Sequence, residues 1–531
     1  MRPRWKSSRL PRRRAFVMSS LLLLAALSRS WPLRHGFGAV PAARAEAGSP
    51  ARPNIVLVLT DDLDRNLGTL ERMPELRAML AGQGVTFDNM LVSESLCCPS
   101  RSSIQRGQFV HNHQVLSNVP PDGGFEKFHA LHEEDSTIGT WVKAAGYRTG
   151  FMGKYLNGYP NTAAKTYVPP GWDEWDSPAA GNPYSEFNYT LNENGTLVPH
   201  GNQPQDYMTD VLSQKAADFI QKTSTDKKPF FLFVATYAPH QPATPAPRHA
   251  DAFQGATAPR PPSYNEPDVS TKPAWIQSRP LLRLPGERQM DNLFRKRLQT
   301  MLAVQDMVEH IIDTLKSSGQ LDNTYIFFAS DNGFHLGEHR LHAGKLTAYE
   351  EDIRVPLYVR GPGVPAGATR DELVGNVDLA PTVAELTGAH APDFVDGRSL
   401  VPLLRDKNYK PEHWRGAFLV EQEEVNFHGA KGRQQQPTQG LTESLDPLET
   451  QLAAARLPIP AYDALRTSTH TYIVIATGER ELYDLRADPY EINNLAGKAD
   501  PALLKQLDAW LAAFKKCHGA DCRVADVAPP H

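Results

Sequence analysis

Only one stretch of this 531-residue sequence is strongly apolar, and it is too short to cross a membrane comfortably. It runs from Phe16 to Leu27 after a basic N-terminus, and Ala43-Arg44-Ala45 further on resembles a cleavage site. We therefore expect residues 1–45 to be a signal peptide and the mature protein to be soluble, without a membrane segment. The letters "RRAFVM" are similar to a twin-arginine signal, which predicts a secreted or periplasmic protein. An ordinary arginine-rich secretory signal is the alternative.

Positive charge is scarce beyond the N-terminus. The chain has 56 basic and 60 acidic residues, and residues 1–45 contain ten of the basic ones and none of the acidic ones. The mature chain therefore has 46 basic residues against 60 acidic ones, a net charge of −14. Such a surface does not attract nucleic acid or anionic membranes by its overall field, so we expect neither as a partner. An anionic substrate would need a local cluster of cations.

The sequence has no internal repeat and no sustained heptad pattern, and it alternates strand-like with helix-like segments. Apolar runs such as "NIVLVL", "PFFLFVATYAPH" and "TYIFFASDNG" predict buried strands, whereas "DVLSQKAADFIQKT" predicts a helix. A long helix is predicted over "NLFRKRLQTMLAVQDMVEHIIDTLKSSG", closed by Gly319. This alternation predicts an α/β fold with helices on both faces of a sheet.

The pattern changes after about residue 410. We expect a large domain over residues 46–410 and a smaller C-terminal α+β domain over residues 411–531. Within the smaller domain, the polar stretch 424–460 is predicted to be an exposed loop. Cys517 and Cys522 lie five residues apart, and in an exported protein this spacing favours a disulfide, with a metal site as the alternative.

Polar residues follow four of the predicted strands. They are Asp61 and Asp62, Lys154, His240, and Asp331 and Asn332. Because ligands of α/β sheets collect at the carboxyl ends of strands, we expect these side chains to converge. Each aspartate-containing pair alone is also a common turn sequence, and a lone lysine or histidine is usually a surface or structural residue. Their joint occurrence at strand ends favours a binding site.

Cysteine is rare, yet two of the four cysteines, Cys97 and Cys98, are adjacent in "ESLCCPSRSSIQRGQ". Pro99 suits the first turn of a helix, which places the pair at a helix N-terminus. There the free N–H groups and the helix dipole favour an anion and lower the pKa of a thiol, and Arg101 adds a fixed cation. Chemistry alone leaves three interpretations open: a reactive thiol, a vicinal disulfide or a buried structural pair.

The order Cys-x-Pro-Ser-Arg resembles the signature of the sulfatase family, in which the first cysteine is oxidised to formylglycine. Only Cys97 fits, because counting from Cys98 puts Ser100 where proline is required. The resemblance covers nearly all of the mature chain, from "RPNIVLVLTDD" through "SDNGFHLGEH" and "YEEDIRVPLYVRGPG" to "ELYDLRADPYEINNL". Within the family, "LCCPSRSS", "VHNHQV", "GKYLNGY", "DNLFRKRLQTMLAVQDMVE" and "CHGADCR" are similar to the N-acetylglucosamine-6-sulfatase and endosulfatase branch.

The resemblance implies an alkaline-phosphatase-like fold, with a large mixed sheet flanked by helices and residues 46–410 as the catalytic domain. It implies that one hydroxyl of hydrated formylglycine at position 97 attacks sulfur and expels the alcohol, and that the second then releases sulfate. A maturase that forms the formylglycine is an implied partner.

The resemblance also implies a role for each polar residue at the strand ends. One Ca²⁺ ion, with Mg²⁺ as the lesser alternative, is bound by an oxygen-rich set consisting of Asp61, Asp62, Asp331, Asn332 and the formylglycine at position 97. The expected cationic contacts are Arg101 with the formylglycine and Lys154 and Lys345 with sulfate. His240 is expected to contact sulfate or to protonate the leaving oxygen.

One departure from the family pattern leaves a role open. Many sulfatases have a histidine two residues after the first of these lysines, where it assists the elimination of sulfate. This chain has Leu156 and then Asn157 in that region. His111 and His113 are our candidates for the missing base, with surface histidines as the alternative. His335 and Glu338 are weaker candidates, for shaping the site.

The implied substrate is the 6-O-sulfate of N-acetylglucosamine, on a short or terminal sulfated sugar, or an aryl sulfate. A phosphonate monoester or phosphodiester hydrolase of the same superfamily is the alternative within hydrolases. A secreted glycan-binding homologue without catalysis, or a thiol redox protein, would be alternatives from other classes. The metal and cation set has no gap apart from the missing histidine, and the chain lacks the Cys-x-x-Cys typical of redox proteins.

Overall fold

The computed structural model describes residues 52–226, 228–406, 408–411, 413–423 and 459–529. The expected signal peptide and most of the expected loop at 424–460 lie outside these residues. The described residues belong to one compact unit. The boundary expected at residue 410 stays a prediction.

The strands, in chain order, are β1 Asn54–Thr60, β2 Val85–Phe87, β3 Met90–Leu91, β4 Arg148–Gly153, β5 Glu174–Gly181, β6 Tyr189–Glu193, β7 Thr196–His200, β8 Phe230–Ala235, β9 Thr324–Ser330, β10 Arg354–Val355, β11 Leu357–Arg360, β12 Ala368–Arg370, β13 Val374–Gly375, β14 Ala417–Gln422, β15 Tyr462–Thr467, β16 His470–Ile475 and β17 Arg480–Asp484. The α-helices are α1 Pro74–Met79, α2 Cys97–Arg106, α3 Val110–His113, α4 Gly124–Ala130, α5 Ile138–Ala144, α6 Met208–Ser224, α7 Ala274–Gln277, α8 Leu284–Ser317, α9 Glu350–Ile353, α10 Leu379–Thr387, α11 Val401–Arg405, α12 Pro501–Phe514 and α13 Ala520–Ala525.

Ten strands form one large mixed sheet in the order β12-β2-β11-β9-β1-β8-β4-β5-β6-β7. The central strands β9, β1, β8, β4 and β5 are parallel neighbours, and the sheet continues with β11 antiparallel to β9 on one side and β6 antiparallel to β5 on the other. Their carboxyl ends therefore lie at one edge of the sheet. The predicted fold class, a large mixed sheet flanked by helices with a smaller C-terminal sheet, is confirmed.

Both faces of the sheet are covered, as the continuous apolar strands predict. In β1, Ile55, Leu57 and Leu59 contribute to one core and Val56 and Val58 to the other, and all five are fully buried. Helices α6 and α8 pack in the second core, while α2, α5 and α10 pack in the first. Each such buried side chain stabilises the fold by roughly 1.5–3 kcal/mol, which favours the central place of β1.

Helix α8 is longer than its pattern predicts and begins at Leu284 with a proline in its first turn. It ends at Ser317, and Gly319 follows in the left-handed region with a φ of 70°, which suits a residue without a Cβ. The sequence analysis did not predict the antiparallel extension β5-β6-β7. That extension brings the turn at 183–185 towards the edge where the parallel strands end.

A second, four-stranded antiparallel sheet follows in the order β14-β15-β16-β17. It packs against the first core: the rings of Phe418 and Phe109 lie 5.4 Å apart, and the amide of Glu421 donates to the carbonyl of Ser93. Cys517, which follows α12, forms a disulfide with Cys522 in α13. Among the described residues, none of the helices is both long and apolar enough to span a membrane.

Candidate active site

The polar residues predicted to converge do meet at the carboxyl edge of the parallel strands. Asp61 follows β1, Asp331 follows β9 and Lys154 follows β4 directly, while His240 lies five residues beyond β8. Their contacts are short: the Lys154 ammonium lies 2.6 Å from an Asp61 oxygen. The alternative that these pairs are only turn sequences does not explain this convergence.

Cys97 is the first residue of α2 and is buried at the centre of this group. Its sulfur lies 2.9 Å from the Lys345 ammonium, 3.4 Å from Asp61 Oδ1 and 4.0 Å from Asp62 Oδ1. The expectation of a lowered thiol pKa is wrong for the unmodified cysteine. Burial raises the pKa of Cys97 well above its ordinary value and the Asp61 charge adds to this, which outweighs the nearby lysines.

Four buried residues offer oxygen atoms beside Cys97: Asp61, Asp62, Asp331 and Asn332, none of which is exposed. The Asn332 side-chain amide donates to Asp62 Oδ1 at 2.7 Å, and the Asp62 backbone amide donates to Asp331 Oδ1 at 3.1 Å. Two further oxygens, Asp62 Oδ2 and Asn332 Oδ1, are buried without a hydrogen-bond partner among the described residues. Unsatisfied oxygens in an all-oxygen set fit a hard divalent cation, so these residues suit a metal ion.

Three permanent cations surround the same point. The Arg101 guanidinium donates to Asp331 Oδ2 at 2.8 Å and to the carbonyl of Lys154 at 2.7 Å. Lys345 donates to Asp62 Oδ1 at 2.7 Å, and Lys154 donates to Asp61 Oδ2 at 2.6 Å. These three cations balance the three carboxylates, so a divalent cation would give the buried site an excess of positive charge. Such a site attracts an anion.

The carboxylates respond differently to this field. Burial alone would raise the pKa of Asp61, but Lys154, His240 and other neighbouring cations lower it well below its usual range. Burial and the Asp61 charge raise the pKa of Asp331. The shifts differ because several cations, led by Lys154, act on Asp61, whereas burial and the like charge of Asp61 outweigh Arg101 at Asp331.

His240 is buried beside Asp62, with its Nε2 atom 3.5 Å from Asp62 Oδ2. Its Nδ1 atom lies 2.6 Å from the carbonyl of Gln241, to which it donates. The ligand atoms of His240, Cys97, Asp61 and Asp62 all lie within 4.8 Å of one another. The ring therefore presents Nε2 to the site while the backbone holds Nδ1.

The two histidines expected to supply the missing base lie in structural contacts. His111 Nδ1 lies 2.8 Å from Glu421 on the C-terminal sheet, and its Nε2 lies 3.0 Å from the carbonyl of Cys517. His113 is fully buried, accepts from the amide of Val115 and lies 3.0 Å from Ser103 Oγ. Both nitrogens of each ring are occupied, and burial lowers the pKa of His113 to about 3. The geometry supports neither as a base at position 97.

The weaker candidates lie around the site. His335 pairs by its backbone with Gly344, next to Lys345, and its ring lies 2.9 Å from Asp352. Glu338 accepts from the amide of Leu336 at 2.6 Å. Both hold the loop that carries Lys345. That they shape the site stays a prediction.

Asn157 leads to a residue that the sequence analysis missed. Its amide donates to the Tyr184 hydroxyl at 3.3 Å, and the Tyr184 ring lies 4.6 Å from the His240 ring. The Lys154 ammonium is 5.0 Å from the centre of the same ring. Tyr184 belongs to the turn between β5 and β6, and no motif in the sequence marks it.

Fold and site together define an alkaline-phosphatase-like α/β enzyme, and comparisons with known proteins give its family. The sulfatase family model matches residues 53–389. Human N-acetylglucosamine-6-sulfatase is 37% identical over 501 residues, which cover 91% of this chain and 88% of the relative. The Drosophila melanogaster extracellular sulfatase SULF-1 homolog is 39% identical over 375 residues, 70% of this chain and 33% of that protein.

A solved structure carries the same fold. It is described as a complex with its substrate, D-glucosamine-2-N,6-O-disulfate, and superposes with a TM-score of 0.69 at 25% identity, covering 90% of this chain and 99% of that one. The chain belongs to the sulfatase family. It is a sulfuric ester hydrolase, as the resemblance of its motifs implies, and the catalytically inactive and redox alternatives are set aside.

Proposed function

We propose that the chain removes the 6-O-sulfate of N-acetylglucosamine residues, using a formylglycine made from Cys97 and one bound Ca²⁺ ion. The observation that carries this proposal is the position of Cys97, buried within hydrogen-bonding distance of Lys345 and beside the carboxylates. The names of the relatives supply the sugar, since the human relative is an N-acetylglucosamine-6-sulfatase and the solved structure holds a 6-O-sulfated glucosamine.

Hydrated formylglycine supplies two hydroxyls, one to attack sulfur and one to release sulfate afterwards. The chain's own contribution begins with burial, which keeps bulk water away from position 97. Helix α2 starts at this residue, and its first N–H groups add partial positive charge. Arg101, one turn further on, lies with its guanidinium between Asp331 and the backbone of Lys154, and so orients the start of the helix.

Lys154 and Lys345 bind the sulfate oxygens in this proposal. Both ammonium groups are buried and each is held by one carboxylate, which fixes them before the substrate arrives. Fixed charges in a buried site stabilise the transition state without reorganisation, and the loss of one such donor commonly costs about 10²–10³ in rate. The two lysines approach from different loops and so define the place of the sulfate group.

His240 donates a proton to the leaving sugar oxygen. Its Nδ1 atom donates to the carbonyl of Gln241, so the other nitrogen, Nε2, faces the site. Asp62, 3.5 Å away, stabilises the protonated ring. Tyr184 packs against the same ring and offers an aromatic wall to the sugar.

Asp61, Asp62, Asp331 and Asn332 would hold one Ca²⁺ ion, whose charge would polarise the sulfate group. Their oxygens are hard ligands, and Ca²⁺ tolerates such irregular sets better than Mg²⁺ does.

Formylglycine is made by a maturase before folding buries position 97. The extracellular relative and the pattern of residues 1–45 support export through a twin-arginine-like signal. Residues 411–531 form the smaller C-terminal domain in this proposal.

A comparison of matched esters tests this proposal. We expect kcat/KM for N-acetylglucosamine 6-sulfate to exceed kcat/KM for the 6-phosphate and for a phenyl phosphonate by orders of magnitude. The value for 4-nitrophenyl sulfate should lie below that of the sugar sulfate and above those of the two phosphorus esters. The protein should be matured, with the fraction of formylglycine determined by mass spectrometry. Equal or better turnover of the phosphonate would overturn the assignment of the sulfate ester.

A further inference from the structure

Arg297 is a fully buried arginine in the middle of α8, on the face that meets the loops of the active site. It belongs to the "DNLFRKRLQTMLAVQDMVE" segment, whose chemistry the proposed mechanism does not use. A guanidinium is expensive to bury unless it is paired and hydrogen-bonded. The buried carboxylate of Asp64 lies 4.0 Å from Nη2, while Nε has no hydrogen-bond partner among the described residues. Its contacts therefore indicate what it does.

The guanidinium contacts three loops that carry active-site residues. Nη2 donates to the carbonyl of Asp62, and Nη1 donates to the carbonyl of Pro239 at 3.2 Å. The guanidinium carbon Cζ lies over the Phe334 ring, 4.4 Å from its centre, and Phe334 is two residues beyond Asn332. One side chain thus touches the loops that follow β1, β8 and β9.

These loops are also joined directly, since the Asp61 backbone amide donates to the carbonyl of Ala238 at 3.2 Å and the Asp62 backbone amide donates to Asp331 Oδ1 at 3.1 Å. Arg297 adds a single side chain that contacts all three. The loops end three neighbouring strands, and each turns away from the sheet to place a functional side chain: Asp62, His240 or Asn332. A planar fork that bonds two carbonyls and stacks on a ring fixes the distance and the orientation of all three. Lysine has the charge but not the fork.

We propose that Arg297 is a positioning residue that sets the geometry of the metal site and of His240 through its contacts with the loops that carry them. This inference rests on the proposed function, because it needs a cation bound by Asp62 and Asn332. It differs from a purely structural role in what it predicts. A structural residue would lower stability when changed and leave the affinity for the cation as it was.

The test is a Ca²⁺ titration of the full-length chain after treatment with chelator, for wild type and R297K. We expect R297K to bind Ca²⁺ roughly 10–100-fold more weakly, the loss typical of changes behind metal ligands. The matched control is R415K. Arg415 has an equally buried side chain and is bonded to Asp378, just before α10, and to Asp526 near the C-terminus, so its change should lower the melting temperature and leave the Ca²⁺ affinity unchanged.

A wild-type Kd in folded R297K would overturn the inference and leave the proposed calcium site standing. A wild-type chain that binds neither Ca²⁺ nor Mg²⁺ would overturn the calcium site and the inference together. If R297K does not fold, F334L decides the question, since it removes the stacked ring and keeps the guanidinium. A raised Kd in F334L supports positioning, and a wild-type Kd contradicts it.

Discussion

Replacing Lys345 by methionine removes one fixed cation and keeps most of the side-chain volume. In the structure its ammonium lies 2.9 Å from the Cys97 sulfur and 2.7 Å from Asp62 Oδ1, with the side chain almost fully buried. The chain offers a matched comparison in Lys272. That lysine is equally buried; it donates to the Tyr483 hydroxyl at 3.1 Å and lies 4.0 Å from a carboxylate oxygen of Glu266.

The size of the effect follows from the geometry. A sulfate group attached at position 97 would place charge about 4 Å from the Lys345 ammonium, which corresponds to about 4 kcal/mol at the effective dielectric of a protein site. Each 1.36 kcal/mol lost from the transition state is about tenfold in rate. We therefore expect kcat/KM of K345M to fall by about 10²–10³, the range found for lost oxyanion donors.

The assay has two parts, measured on K345M, K345R, K272M and wild type at equal formylglycine content. Initial rates on the 6-sulfated sugar should fall strongly in K345M, less in K345R and little in K272M. Thermal unfolding of K345M should depend on metal. The substitution leaves Asp62 without its lysine and lowers the stability, and Ca²⁺ should restore part of the lost stability. K272M should lose roughly 3–5 kcal/mol whether Ca²⁺ is present or absent. If K345M keeps kcat/KM within a factor of about three of wild type, less than 1 kcal/mol, the account of the sulfate site is refuted.

Two further predictions concern metal and pH. Asn332→Ala removes one direct oxygen ligand, so the Kd for Ca²⁺ in calorimetry should rise by at least the roughly 10–100-fold typical of changes behind metal ligands, and an unchanged Kd would remove Asn332 from the site. Burial would lower the pKa of His111, but its bond to Glu421 raises it to about 8. Since the folded pKa lies above the ordinary 6.5, this contact stabilises below pH 6.5 by about 2 kcal/mol and is lost as pH rises through 8. The stability difference between wild type and H111Q should therefore shrink from pH 6 to pH 9; a constant difference would contradict the assignment.

Local sequence patterns predicted the central strand, the convergence of the polar residues and the Cys97 signature. The apolar run at 54–59 became the central strand β1, because continuous β-branched residues suit a strand covered on both faces. The polar residues after the strands converged because parallel strands deliver their ends to one edge. Cys97 and its signature were visible because a motif within one helix turn needs no tertiary information.

Tertiary contacts explain what the sequence analysis missed. The local helix-end argument predicted a lowered thiol pKa, but burial, which depends on the whole fold, raised it. Tyr184 reaches the site from a turn between antiparallel strands, and a period of two in the sequence does not show where such a turn points. The expectation for His111 and His113 rests on their nearness to the signature in the sequence. Folding turned both towards structural partners instead.

The most direct measurement is the mass of the proteolytic peptide that spans residue 97, from protein secreted by its native producer. The account predicts an aldehyde in place of the Cys97 thiol, seen as a lower peptide mass and as reaction with a hydrazide. An unmodified thiol in protein that hydrolyses the 6-sulfated sugar at full rate would contradict it.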